Sequence, residues 1–330
     1  MKTFVTGATG FIGSQLCLKL AGSGHQVHAL YRSESKAIIL RHPDIHLFKG
    51  DILDYNSLKN AMTDCQQIYH MAAFTKVWVK DESRIYELNV TGTLNVLNAA
   101  METGIKDIVI SSTAGVFGPS LDGNEVSETS IRQIDFFIEY ERTKAIAEEM
   151  ALEFLKSGLN IRIVNPTRVY GPGVLNPSNS VTKLIAAYMS GTWRIIPGDG
   201  NSVGNYVFID DAVNGHVLAM EKGKPGEKYL LGGENISYND FFKLLGEISG
   251  KRRLMLKVPL SPIYFASDLA MLVNRLTGVK PFITKGLMRK FNYNWRVNSL
   301  KAMSEIGYTQ TPLKECLTKT IDWIKNNGKT

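Results

Sequence analysis

The 330-residue chain has an ordinary globular composition, with 44% hydrophobic and 21% charged residues and a formal net charge of +7. It contains no apolar run of the roughly 18 residues that cross a membrane. Its Lys and Arg residues are scattered apart from Lys251-Arg252-Arg253, which argues against a nucleic-acid partner. Cys17, Cys65 and Cys316 have neither metal-ligand nor disulfide spacing, so we expect no metal site. Strand-forming residues from Lys2 onward leave no room for a signal peptide, and we expect a cytoplasmic location.

Residues 1–170 alternate between strand-forming and helix-forming runs. The predicted strands are Thr3–Thr6, Gln26–Tyr31, Ile45–Lys49, Gln67–Met71, Asp107–Ser111 and Asn160–Asn165. The predicted helices are Gly13–Ala21, Ser33–Arg41, Tyr55–Met62, Ser83–Thr103 and Phe137–Ser157. This alternation predicts an α/β fold with a doubly wound parallel sheet. Strand centres such as Ile108-Val109-Ile110 are apolar throughout, as burial on both faces requires.

The pattern loosens after Gly171-Pro172-Gly173, which suggests a change of organisation there. We expect a domain of residues 1–170 and, in residues 171–330, mainly a smaller C-terminal lobe that shapes a substrate pocket. The boundary is soft, because Val207–Ile209 and Tyr229–Leu231 are candidates to return to the sheet. The stretch Val258–Val273 is strongly apolar. A core helix is its simplest interpretation, and the alternatives are the wall of an apolar pocket and a membrane-adjacent patch.

Three glycines near the start of the chain, Gly7, Gly10 and Gly13, lie between the first predicted strand and the first predicted helix. Glycine permits positive φ and lets other groups approach the backbone. A strand-to-helix turn of this kind presents a helix N-terminus, which suits a phosphate. The spacing G-x-x-G-x-x-G is a variant of the dinucleotide fingerprint. Because Ser14-Gln15 follow in place of Lys-Ser/Thr, a mononucleotide P-loop is disfavoured.

A tyrosine and a lysine four residues apart, Tyr140 and Lys144, share one face of a predicted helix. A nearby ammonium lowers the pKa of a phenol, which then exchanges a proton closer to neutral pH. Tyr55 and Lys59 have the same spacing, so the pair alone is not specific. Thr113 distinguishes the two pairs. It lies upstream of Tyr140 and directly follows a predicted strand, and the carboxyl end of such a strand should face the ligand. Tyr55 has no such partner upstream. We therefore interpret Tyr140 and Lys144 as functional and Tyr55 and Lys59 as a surface pair.

Eight motifs then occur in the order typical of one known family. They are G-A-T-G-F-I-G, G-D-I-L-D, H-M-A-A, N-V-T-G-T, S-S-T-A-G-V-F-G, Y-E-R-T-K, N-P-T-R-V-Y-G-P-G and F-I-D-D-A-V. The chain thus resembles the extended short-chain dehydrogenase/reductases of the NAD-dependent epimerase/dehydratase superfamily. Among these it most resembles the branch of dihydroflavonol reductases and 3β-hydroxysteroid dehydrogenases. The resemblance implies a Rossmann-type domain and a nicotinamide cofactor.

The resemblance also implies a role for each residue that matches a family motif. Expected at the cofactor are Gly7, Thr9, Gly10, Phe11, Ile12 and Gly13 of the glycine loop, Asp51 and Ile52 at the adenine, Ala72, Ala73 and Ser111 toward the nicotinamide ribose, Pro166, Thr167 and Val169 beside the nicotinamide, and both Tyr140 and Lys144.

The same resemblance implies four catalytic residues. Thr113 would hydrogen-bond the reacting oxygen, and Tyr140 would be the general acid/base. Lys144 would bind the ribose hydroxyls and lower the pKa of Tyr140, and Asn89 would support a water in a proton relay. His70 also lies in a motif, but we interpret it as a hydrogen-bonded residue at a strand end.

NADP(H) is favoured over NAD(H) by the end of the second predicted strand. NAD sites commonly carry an acid there, and this chain has Tyr31 and Arg32 instead. A guanidinium can pair with a 2′-phosphate, and we expect no carboxylate to oppose it. The alternative is that Arg32 is a solvated loop residue that stacks on the adenine.

The reaction remains open between two enzyme classes and one binding class. Sugar-nucleotide members of the family usually carry an Arg after the G-D-G turn, to meet the diphosphate. Here Gly198-Asp199-Gly200 is followed by Asn201–Tyr206 without an Arg. We therefore favour a reductase of a ketone or aldehyde on a bulky apolar substrate over a nucleotide-sugar epimerase or dehydratase. Another arginine, Arg168, Arg194 or Arg289, could reach a diphosphate from elsewhere in the fold. A non-catalytic binding module is the third interpretation, and the chain is expected to be a monomer or a homodimer.

Overall fold

The computed structural model describes residues 1–76, 78–281 and 284–327. Its strands are β1 (Lys2–Thr6), β2 (Gln26–Tyr31), β3 (Ile45–Lys49), β4 (Gln67–His70), β5 (Asp107–Ser111), β6 (Asn160–Pro166), β7 (Arg168–Tyr170), β8 (Ile195–Pro197), β9 (Val203–Phe208), β10 (Lys228–Leu231), β11 (Glu234–Ser237) and β12 (Leu256–Val258). Its α-helices are α1 (Phe11–Gly22), α2 (Glu34–Ala37), α3 (Tyr55–Met62), α4 (Ser83–Tyr86), α5 (Gly92–Thr103), α6 (Glu139–Glu153), α7 (Ser180–Ser190), α8 (Ile209–Lys222), α9 (Tyr238–Ser249), α10 (Leu260–Thr277), α11 (Lys285–Arg289), α12 (Leu300–Ile306) and α13 (Leu313–Asn327). A π-helical segment, Glu87–Thr91, joins α4 to α5.

The central sheet of the described chain has seven parallel strands in the order β10-β6-β5-β4-β1-β2-β3. The reversal of strand order beside β1 is the point where a doubly wound sheet binds its ligand. The predicted α/β fold with a doubly wound parallel sheet is confirmed.

The core lies on both faces of this sheet. Successive strand residues point to opposite faces, and Phe4 and Val5 of β1 are both fully buried, in two different apolar clusters. Val5 packs on the side that carries α1 and α8, whereas Phe4 packs on the side that carries α3 and α5. Burial on both sides explains why these strands are apolar without alternation.

Two later segments were candidates to return to this sheet, and the structure separates them. Tyr229–Leu231 lies in β10, which pairs with β6 at the edge of the sheet. Val207 and Phe208 lie in β9, which pairs with β7 and β11 in a small separate sheet, and Ile209 already begins α8. The expectation that Val207–Ile209 returns to the central sheet was therefore wrong, because β9 pairs with the edge of β7 instead.

The apolar stretch Val258–Val273 forms most of α10, which lies on the surface. Ser267 is the one buried residue of this helix, whereas Phe265 is 73% and Leu269 is 52% exposed. Its interpretation as a core helix is therefore wrong. Among the described residues, no helix is long and apolar enough to cross a membrane.

Candidate active site

A cleft of about 800 Å³ opens along the carboxyl ends of the central strands. The segments that follow β1, β3 and β4 line it, as do the ends of β2, β5 and β6. The sequence-predicted residues that line it are Gly7, Thr9, Gly10, Phe11, Ile12, Gly13, Arg32, Asp51, Ile52, Ala72, Ala73, Ser111, Thr113, Tyr140, Pro166, Thr167 and Val169. Lys144 and Asn89 lie behind its wall.

The glycine loop is packed so tightly that it tolerates no side chain at two positions. Gly7 has φ of +63°, and a Cβ atom there would lie 2.6 Å from the backbone nitrogen of Ala72. A Cβ atom on Gly13 would lie 2.3 Å from the carbonyl oxygen of Gly7. The first backbone N–H groups of α1 have no partner within the helix, and this end of the helix faces the cleft. The loop therefore fits the pyrophosphate of a dinucleotide.

At the end of β2, the structure gives Arg32 an acidic partner. Its Nη1 lies 3.4 Å from Oδ2 of Asp51, and the Arg32 side chain is 62% exposed. The expectation that no carboxylate opposes Arg32 was therefore wrong. Exposed ion pairs of this kind are weak, so Arg32 remains free to pair with another anion. Lys36 lines the same part of the cleft and was missed, although it stands one turn beyond the strand end.

Thr113 and Tyr140 both line the cleft, and they form what is called here its catalytic wall. Thr113 caps a short 3₁₀ turn, and its Oγ1 accepts a hydrogen bond of 3.1 Å from the backbone N–H of Gly115. The hydroxyl proton of Thr113 is thus left to donate to a ligand. Tyr140 stands at the start of α6, half-buried. Its hydroxyl has no hydrogen-bond partner among the residues that the structure describes.

Lys144 lies one turn after Tyr140 on α6 and is buried. Its Nζ donates a hydrogen bond of 2.7 Å to the carbonyl oxygen of Ser111, at the end of β5. Burial lowers the pKa of Lys144 to about 8, against an opposing effect of Glu148. The pKa of Tyr140 is raised, first by burial and then by Glu141 and Glu148. This direction is opposite to the lowering expected from Lys144, because burial of the phenol is the largest effect and Glu141 and Glu148 add to it.

Asn89 connects the wall of the cleft to α6. It lies in the π-helical segment, and its Oδ1 accepts a hydrogen bond of 2.7 Å from the backbone N–H of Phe74. Its Nδ2 donates to Oγ1 of Thr143 at 3.0 Å. Asn89 thus positions the cleft-lining Phe74 against the helix that carries Tyr140.

Two predicted residues have side chains occupied elsewhere. The hydroxyl of Ser111 lies 3.0 Å from Nε2 of His216, so its carbonyl rather than its side chain serves the site. His70 is buried, 2.8 Å from Oγ1 of Thr6 and 2.9 Å from Oγ1 of Thr93, and burial lowers its pKa to about 3. His70 is therefore a neutral residue of the sheet.

The surface pair, Tyr55 and Lys59, lies outside the cleft. The hydroxyl of Tyr55 donates to Glu102 at 2.5 Å, and Nζ of Lys59 lies 2.8 Å from the same carboxylate. Both contacts are exposed, and the hydrogen bond to Glu102 raises the pKa of Tyr55 to about 12. Tyr55 therefore has no role at the cleft.

Sequence reasoning missed one further residue of the cleft, Ser112, whereas Arg168 was one of three arginines that could reach a diphosphate. Ser112 is 5% exposed, and its Oγ has no partner within the described chain, so it can bond a ligand. Three consecutive hydroxyl residues, Ser111-Ser112-Thr113, were the available signal. Arg168 also lines the cleft beside Thr167.

These features define an α/β protein with a dinucleotide-type glycine loop and a Tyr/Lys pair at the same cleft. Residues 3–232 match the model of the NAD dependent epimerase/dehydratase family, and the chain belongs to this family, that of the extended short-chain dehydrogenase/reductases. It is an NAD(P)-dependent enzyme of that family.

Three relatives cover nearly the whole chain. A "Putative dihydroflavonol 4-reductase" of Synechocystis sp. is 32% identical, over 98% of this chain and 95% of that protein. "Sterol demethylase protein B" of Methylococcus capsulatus is 28% identical, over 99% of each. Among solved structures, UDP-glucose 4-epimerase of Thermotoga maritima, determined with UDP-glucose, is 26% identical with a TM-score of 0.83, over 100% of each chain.

Proposed function

We propose that this protein is an NADPH-dependent reductase of a ketone or aldehyde on a bulky, largely apolar substrate. The observation that carries the proposal is the placement of Thr113 and Tyr140 in the same cleft as the glycine loop, with Lys144 directly behind them. A non-catalytic binding module has no need of this arrangement.

The residues of the catalytic wall suit acid catalysis at a carbonyl. A bound nicotinamide supplies the hydride. The hydroxyl of Tyr140 donates the proton to the carbonyl oxygen, and that of Thr113 donates a hydrogen bond to the same oxygen. Because burial raises the pKa of Tyr140, the phenol carries the proton that this step needs. We expect Lys144 to bind ribose hydroxyls from behind this wall.

Preference for NADPH rests on the rim at the end of β2. Arg32 and Lys36 place two cations there, and the carboxylate of Asp51 opposes one of them. A 2′-phosphate carries more charge than a carboxylate and accepts a bidentate contact from a guanidinium. We therefore expect Arg32 to exchange Asp51 for this phosphate.

The class of substrate rests on the relatives and on the cleft itself. Two relatives carry the names of a dihydroflavonol reductase and a sterol demethylase, and both names denote bulky ring systems. Phe74, Leu88 and Val174 give the cleft apolar wall area. Among the described residues, none of α10 lines the cleft. The apolar stretch Val258–Val273 therefore does not form the wall of the substrate pocket.

A nucleotide-sugar epimerase or dehydratase is the second candidate, favoured by the likeness to UDP-glucose 4-epimerase. An epimerase must return the hydride to its substrate and so retains its cofactor. A reductase releases the oxidised cofactor in every cycle. The experiment is a panel of carbonyl compounds and nucleotide sugars with NADPH, followed by nicotinamide absorbance.

We expect net NADPH consumption with apolar ketones or aldehydes. Two observations together transfer the assignment to an epimerase: a cofactor that stays with the purified protein through desalting, and interconversion of nucleotide sugars without added NADPH.

A further inference from the structure

Arg168 is the first residue of β7 and lies between Thr167 and Val169, the residues expected to flank the nicotinamide. It lines the cleft and is half-buried. Its Nη1 donates hydrogen bonds to the hydroxyl of Tyr238 at 2.9 Å and to that of Tyr206 at 3.3 Å. The guanidinium also faces both rings, at 5.7 Å and 5.5 Å from their centroids. Its position is therefore fixed by two neutral phenols.

Gly204 provides the space that this guanidinium occupies. A Cβ atom on Gly204 would lie 2.3 Å from Nη1 of Arg168. Gly204 also stands in the segment after Gly198-Asp199-Gly200, where the sequence lacks the arginine expected in sugar-nucleotide members. The guanidinium of Arg168, which comes from a different strand, thus fills the space beside this position.

The charge of Arg168 is not balanced within the described residues, where no carboxylate lies within ion-pair distance of it. The buried carboxylate of Glu141 is already shared, because it lies 2.6 Å from Nζ of Lys290 and 3.4 Å from Nη2 of Arg132. Burial lowers the pKa of Lys290, Glu141 opposes this, and Arg168 and Arg132 lower the pKa further. A half-buried cation with neutral partners favours an anion that enters the cleft.

We propose that Arg168 binds an anionic oxygen group of the substrate, a carboxylate or a phosphate. This inference rests on the proposed function, in which the cleft takes a carbonyl substrate beside the nicotinamide. It adds that the otherwise apolar substrate carries an acidic group, within reach of Arg168 when its carbonyl lies at Tyr140.

Calorimetric titration tests this with the protein saturated by oxidised cofactor. One pair of probes is 3-phenylpropionate and the neutral 3-phenylpropan-1-ol, and the other is UDP and uridine. We expect the anion of at least one pair to bind tenfold or more tightly than its neutral partner, and the pair that responds identifies carboxylate or phosphate. This gap in affinity between an anion and its neutral partner should vanish in Arg168→Gln and persist in Arg168→Lys. Arg194→Gln, which alters an arginine outside the cleft, should leave the gap unchanged.

Equal binding within both pairs overturns the proposal, and so does a gap that survives in Arg168→Gln. Where Arg168→Gln does not fold, Gly204→Ala replaces it, because its Cβ atom displaces the guanidinium and should narrow the gap. Reduction of methyl 4-acetylbenzoate and of 4-acetylbenzoate separates this inference from the proposed function. If neither carbonyl is reduced, the reductase assignment fails, while the titration still decides the role of Arg168.

Discussion

The Nζ of Lys144 and the carbonyl oxygen of Ser111 are joined by a hydrogen bond of 2.7 Å, which ties α6 to the end of β5. A buried ammonium is costly unless it is paired or hydrogen-bonded. The bond holds that charge directly behind the cleft wall, and it sets the position of Tyr140 one turn earlier on the same helix. One contact therefore aligns the proposed acid with the strand end where the carbonyl should lie.

Tyr140→Phe should lower turnover by about 10²–10⁴-fold, because it removes the proton donor while the ring remains. The affinity for NADPH should stay within a few-fold of the original, since the glycine loop is untouched. Steady-state kinetics with a carbonyl substrate and fluorescence titration of NADPH measure the two quantities. Tyr55→Phe is the matched control and should change neither. Equal damage from both substitutions would show that a place at the cleft does not distinguish a functional Tyr/Lys pair from a surface pair.

Lys144 should make cofactor affinity depend on pH. Its pKa of about 8 lies below the ordinary value of 10.5, so the free protein loses this ammonium as the pH rises through about 8. If the ammonium binds the ribose, NADPH affinity should fall about twofold between pH 7 and 8 and more steeply above it, by at most tenfold per pH unit. Fluorescence titration at several pH values measures this fall.

Lys144→Met removes the charge, so its NADPH affinity should be weaker at pH 7 and should not fall further between pH 8 and 9.5. A variant that keeps the slope of the original protein would assign the titration to another group.

The alternation of strands and helices in residues 1–170 was predictable, because apolar periodicity reports burial and each strand is buried on both faces. Contacts between distant segments were not predictable. The ion pair of Arg32 with Asp51 joins residues on neighbouring strand ends, and no local pattern reveals it. The space that Gly204 leaves for Arg168 likewise depends on the pairing of β7 with β9.

Apolar composition also gave a wrong prediction of burial in one segment. Residues 258–273 are as apolar as a core helix, yet Phe265 and Leu269 of α10 are exposed. Composition measures the free energy available from burial, and it does not show whether a neighbouring element is present to bury the side chain.

Arg32→Ala should weaken NADPH binding by roughly 1.5–3 kcal/mol and leave NADH binding almost unchanged, because the 2′-phosphate is the group that the guanidinium contacts. Asp51→Asn removes the competing carboxylate from Arg32 and should raise the NADPH preference. Titration of each variant with both cofactors gives the preference directly. Lys49→Ala, at a cation that pairs with Glu34 outside the cleft, is the control and should have no effect. An original preference for NADH, or an equal loss for both cofactors in Arg32→Ala, contradicts the assignment.

Gly13→Ala and Gly22→Ala place the same methyl group at the two ends of α1, and they should have opposite consequences. At Gly13 the methyl carbon would lie 2.3 Å from the backbone oxygen of Gly7, which cannot move without opening the loop. We expect cofactor affinity to fall more than tenfold and the melting temperature to drop. At Gly22 no atom beyond its chain neighbours and the adjacent helix backbone lies within 4 Å of the added carbon, and the helical backbone suits alanine. This variant should bind the cofactor normally and gain about 0.4–1 kcal/mol of unfolding free energy.

Calorimetry and cofactor titration of the two variants distinguish an effect on the loop from an effect on the helix. Normal cofactor binding in Gly13→Ala would show that the close packing of this turn is not what shapes the dinucleotide site.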